Sequence, residues 1–124
     1  MKFVSLVVAL SCAFAVVQAG CGGGEISGSE ADDLKLALND VSSAPLSGDT
    51  LTYCNGNMCV ACVNNVHTKS NLRNRCSQAA GAIQPDVGAG SSGQCNYPGL
   101  KGLSSVSYWQ SRALARIHKE FASK

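Results

Sequence analysis

Three cysteines fall within nine residues of one stretch, Tyr53-Cys54-Asn55-Gly56-Asn57-Met58-Cys59-Val60-Ala61-Cys62-Val63. Leu51 to Cys54 has the composition of a short strand. Asn55-Gly56 is the dipeptide that a type I′ hairpin turn prefers, because both residues accept positive φ. Met58 to Val63 reads as the return strand, apolar on both faces. Side chains alternate along a strand, so Cys59 and Cys62 point to opposite sides and are expected to bond different partners.

What these cysteines do depends on where the chain goes. Lys2 supplies a positive start, and Phe3 to Val17 is apolar apart from Ser5 and Ser11. Val17-Gln18-Ala19 then puts small residues at −3 and −1 of a cleavage site. The reading is a signal peptide over residues 1–19, a flexible glycine-rich lead over 20–28 and a single disulfide-rich domain over 29–124. The first apolar run falls short of the roughly 20 residues of a membrane span, and no later run matches it. Ala19-Gly20-Cys21 followed by glycines also resembles a bacterial lipoprotein start, with Cys21 lipidated. Gln18 departs from the apolar residue that such a start uses.

Cleavage removes Cys12 and leaves Cys21, Cys54, Cys59, Cys62, Cys76 and Cys95. An even number in an exported chain of this size implies three disulfides, with fifteen connectivities open. The chain has only three Phe, three Tyr and one Trp but 13 Gly, so its core is small and cross-links add what burial does not. Cys59-x-x-Cys62 also fits a redox pair or half a zinc site. A redox pair needs a strand-to-helix turn in a parallel-sheet domain, and a thiolate zinc site is marked by a second such pair. Neither pattern is present, so no metal and no cofactor is expected.

Helical segments flank the hairpin. Ser27 with Glu30 forms a capping-box pattern ahead of the apolar stripe Ala31, Leu34, Leu38, Val41, and Ser29 with Asp32 is an equally good registration. Pro45 follows as a stop. A second stripe, Leu72, Cys76, Ala79 or Ala80, Ile83, turns Cys76 toward the core, and Pro85 ends it. Gly88 to Gly93 reads as a mobile loop, and Gln94 to Tyr97 as a brief strand. A third helix is expected from Ser104 or Ser105, with Val106, Trp109, Ala113, Leu114, Ile117 and Phe121 on one face. Arg112, Arg116 and Lys119 on its other face are candidate binding residues and offer a weak contact to anionic membranes.

Charge is uneven. Residues 20–60 carry six acids against Lys35, a net −5, and residues 61–124 carry eight Lys/Arg against Asp86 and Glu120, a net +6. Such halves steer an anionic partner or neutralise each other. The two histidines, His67 and His118, are the one pair that could divide base and acid roles in RNA cleavage.

The assembly resembles the small cysteine-rich secreted proteins of fungi, including plant-pathogen effectors and killer toxins with a small α/β sandwich. The resemblance rests on the signal peptide, six cysteines, the Tyr53 to Cys62 cluster, the helix around Arg75-Cys76-Ser77 and the Gly93-Gln94-Cys95 segment. It covers the mature chain in outline. The cysteine spacings depart from the toxins, and the last helix lacks their cysteine, so no functional residue carries over.

The expected fold is α+β: a small disulfide-stapled antiparallel sheet with two to three helices packed on it. The expected function is a secreted, extracellular, monomeric effector- or toxin-like protein that binds a host or competitor target without catalysis. No nucleic-acid partner is expected. The alternative is a small secreted hydrolase, such as a ribonuclease, using His67 and His118.

Overall fold

The computed structural model describes residues 19–64, 71–99 and 103–111. The elements in chain order are β1 (Gly20–Glu25), α1 (Gly28–Asp40), β2 (Leu46–Ser47), β3 (Thr50–Asn55), β4 (Met58–Val63), α2 (Leu72–Ile83), β5 (Ser92–Tyr97) and β6 (Ser105–Gln110). The six strands form one sheet in the order β1-β5-β6-β4-β3-β2, and every neighbouring pair is antiparallel. The fold is α+β, as its sequence indicates, with two described helices.

Both helices cover one face of the sheet. Leu34, Ala37 and Leu38 of α1 and Cys76, Ala80 and Ile83 of α2 join Leu51, Met58, Val60, Cys62, Cys95, Val106 and Tyr108 in a single core. The helix α1 starts where its capping box sits. The Glu30 N–H donates to Ser27 Oγ at 3.1 Å, and the Ser27 N–H donates to Glu30 Oε1 at 3.0 Å. Two of the N–H groups left free at a helix start are thereby satisfied. Glu30 is itself buried, and its Oε2 accepts from Gln110 Nε2 of β6 at 3.3 Å. At the far end, Arg73 Nη1 donates to the carbonyls of Ser42 and Ala44 at 2.9 and 2.7 Å. A cation there suits the negative end of the helix dipole.

Three disulfides tie this frame: Cys21–Cys95, Cys54–Cys59 and Cys62–Cys76. Cys59 and Cys62 therefore bond different partners, and Cys76 reaches the hairpin from α2. Cys21, bonded to Cys95, has no thiol to carry a lipid.

Four expectations need correction. The first concerns Gly20–Glu25, expected within a flexible lead. It is an edge strand, paired with β5 from Gly20↔Asn96 to Glu25↔Ser92. Glycines carry no hydrophobic alternation, so the sequence hides the strand. The second concerns the hairpin, whose two-residue turn is Gly56-Asn57, closed by the pair Asn55↔Met58. Only Gly56 has positive φ there, at 58°, the pattern of a turn with glycine first rather than the type I′ turn expected. The third concerns the Gly88–Gly93 stretch. The Ser91 N–H donates to the Gly88 carbonyl, the Gly90 N–H to that of Ile26, and the Ile26 N–H to that of Ser91. It is a hydrogen-bonded turn that passes into β5 at Ser92. The fourth concerns the start of the last expected helix. Ser105–Gln110 is a strand, with Val106 and Tyr108 buried on its inner side. Val106 and Trp109 satisfy a helical i, i+3 spacing equally well, which is how the pattern misleads. The remainder of that expected helix lies outside the described residues.

Candidate binding surface

The inward set Leu51, Met58, Val60, Cys62, Val106 and Tyr108 sends the intervening residues to the opposite face. Strand register arranges them in rows across the sheet. One row runs Cys54, Cys59, Trp109, Gln94, and the next runs Thr52, Ala61, Ser107, Asn96. A third joins Thr50, Val63 and Ser105. None of these eleven side chains is charged. Cys59 and Ala61 are buried, whereas Trp109, Ser105 and Ser107 are half-buried and Thr52, Gln94 and Asn96 are exposed. Neither described helix packs on this face. Its hydroxyl and amide groups both donate and accept hydrogen bonds. Trp109 adds a large planar surface, and its Cα partner Cys59 is cross-linked to Cys54 in the same row.

On the helix side, Leu46, Asn71, Leu72 and Arg73 line an open depression of about 270 Å³. That falls below the roughly 300–1,000 Å³ of ordinary small-molecule sites. Asn71 precedes α2 with φ 64°. Among the described residues, no helix is long and apolar enough to cross a membrane, and no group of three or more His, Cys, Asp or Glu could hold a metal.

Tyr97 and Tyr108 form the one polar aromatic pair described on the inner side, with ring centroids 6.3 Å apart. Burial pushes the Tyr108 phenol far above the usual range, and the neighbouring Tyr97, through its charge and a hydrogen bond, pushes it further. Tyr97 is raised chiefly by burial; its hydrogen bond with Tyr108 opposes the rise, and the charge on Asp86 adds to it. A raised phenol pKa means that the unfolded chain gives up its proton first. The associated stability is complete below the ordinary tyrosine value of about 10 and is lost as pH climbs above it. We expect Tyr108→Phe to flatten the fall in urea midpoint between neutral and strongly alkaline pH. A fall as steep as in the parent would assign the alkaline loss to other groups.

The candidate residues of the sequence divide as follows. The six cysteines are brought together in pairs, two of them across strands and one between sheet and helix. Arg112, Arg116 and Lys119 lie outside the described residues, as do His67 and His118. The Thr, Ser, Gln and Asn rows around Trp109 are absent from the sequence-based candidates. Their only sequence signal is a strand alternation in 105–110, which the helical reading of Trp109 conceals. Comparison with protein-family models, with curated proteins and with solved structures finds no match to this chain.

Proposed function

We propose that this chain is a secreted, cysteine-rich effector- or toxin-like protein that binds a host or competitor target outside the cell, without catalysis. The observation that supports it best is the set of uncharged rows across β3, β4, β6 and β5 on the outer face, where a tryptophan stands among hydroxyl and amide side chains on a cross-linked scaffold. Such a face is built on paired, cross-linked strands, so little conformational freedom is lost on binding. Tryptophan is among the residues that most often dominate binding energy. The three disulfides suit an oxidising compartment, and the N-terminal segment supplies a route to it.

The test has two arms. Expressed through a secretory pathway, the chain should leave the cell beginning at Gly20 and lighter by six hydrogens than its reduced form. Retention in the cell, or free thiols at Cys59 and Cys62, would remove the reading. The exported protein should then attach to intact host or competitor cells. Ser107→Arg, which puts a charge in the centre of the outer face, should weaken attachment by about tenfold or more. Equal attachment of both proteins would move the binding surface elsewhere. RNA cleavage that disappears in His67→Ala or His118→Ala would replace the reading with the hydrolase alternative.

A further inference from the structure

We infer that Cys21–Cys95 is a redox latch: a thiol reductant that opens it releases strand β1 from the sheet and uncovers the outer edge of β5. The argument starts from what else holds β1. All six of its residues are exposed, and none belongs to the hydrophobic core. Four of the six are glycine, the residue that loses most conformational freedom when ordered. The ladder is broken as well. Its register shifts between Gly22 and Glu25, and Gly23 takes φ 73°. The 4.0 Å Cα separation of Cys21 and Cys95 marks a non-hydrogen-bonded pair, so the ladder bonds fall on the flanking pairs Gly20–Asn96 and Gly22–Gln94. Few backbone bonds thus oppose the ordering cost, and the covalent bond makes up the difference.

Access and hinge fit the same role. Cys21 is exposed while Cys95 is 2% exposed, so the attacking thiolate meets Cys21. By contrast, Cys62 and Cys76 are both 0% exposed. Beyond β1 the chain is firmly held. Ile26 is buried, exchanges backbone bonds with Gly90 and Ser91, and leads into the Ser27 cap. The segment that swings free therefore ends at Glu25. In the chemical step, a thiolate attacks Cys21 Sγ and Cys95 leaves as the thiolate. A second thiolate resolves the mixed disulfide, so two cysteine thiols form and one reductant disulfide is produced. The N–H and C=O groups of Gln94 and Asn96 then face solvent on an open edge, where an extended strand can pair.

The experiment is stepwise reduction of the exported protein with dithiothreitol under native conditions. Alkylation mapped by mass spectrometry reports which cysteines have opened, and residue-resolved hydrogen exchange reports the strands. The latch requires that Cys21 and Cys95 open while Cys62 and Cys76 stay closed. It also requires that the Gln94 and Asn96 amides exchange at least about tenfold faster, with the Cys95 and Tyr97 amides, which face β6, unchanged. Unchanged protection at Gln94 and Asn96 would overturn it. Loss of protection throughout β3 to β6 at the same step would also overturn it, by making the bond a global staple. Opening of Cys62–Cys76 first would do the same. Cys21→Ser/Cys95→Ala should reproduce the exchange pattern without reductant, and the wild-type titration decides the question if that variant does not fold.

Discussion

Cys62→Ala/Cys76→Ala is expected to lower stability by about 3–5 kcal/mol, more than removal of the hairpin disulfide. The bond joins β4 to α2 across a sequence separation of 14. Freeing the unfolded chain over a loop of that size costs about 3 kcal/mol in the chain-entropy picture. Both sulfurs are fully buried in the core, and the space they leave adds roughly a further 1 kcal/mol. A domain of this size has about 5–15 kcal/mol in total, so the variant stands near its folding limit. Cys54–Cys59 closes a separation of only 5 between strands already paired, and the same picture assigns it about 2 kcal/mol. Urea titration of the two double variants gives the ranking directly. A hairpin variant as unstable as the core variant would contradict the argument from burial and loop length.

The second large effect is expected at the hairpin turn. Gly56→Ala should cost about 2–4 kcal/mol, for two separable reasons. Gly56 has φ 58°, where an L side chain is strained by roughly 1–2 kcal/mol. A Cβ added there would also collide with the Asp33 carboxylate, which accepts the Asn57 N–H at 3.2 Å. Moving Asp33 aside forfeits that exposed bond to a charged acceptor, worth about 1–2 kcal/mol. A double-mutant cycle separates the terms. In an Asp33→Ala background Gly56→Ala should cost only the backbone part, leaving about 1–2 kcal/mol of coupling between the sites. Additive effects would show that α1 and the hairpin do not meet through this contact.

The same turn shows how much of the fold the sequence displays. The hairpin is legible because two short apolar runs flank a glycine-containing break. Its register is not, because Asn55-Gly56 and Gly56-Asn57 are both good turns. The contact with Asp33, 24 residues away, favours the second. Helix α1 is legible because its stripe repeats at helical spacing, but its start is not, since Ser27 with Glu30 and Ser29 with Asp32 register equally well and the structure selects the first. That Glu30 also meets Gln110 of β6 is a long-range matter. Strand β6 is misread because six residues, Ser105 to Gln110, suit either period. Position between β5 and β4 decides it, since only there do both edges of its backbone find partners.

The candidate surface was less legible than the core. Thr52, Ala61, Ser107 and Asn96 lie on four strands, and only the order β5-β6-β4-β3 makes them one row. Single polar residues in separate segments carry no mark of that neighbourhood. Cysteine content was visible at once, yet which of fifteen pairings forms depends on strand register.

The amino-acid sequence by itself determined the local features: two capped or Pro-terminated helices, one hairpin, and six cysteines beyond the N-terminal apolar run that are able to pair. Each follows from interactions within a few residues, whose geometry hardly changes with context. Tertiary structure alone decided that a glycine-rich lead is an edge strand held by Cys21–Cys95, that Ser105–Gln110 is extended, and that an uncharged face gathers around Trp109. These depend on which strands lie side by side. That choice is made by burying one shared core, not by any segment's own preference.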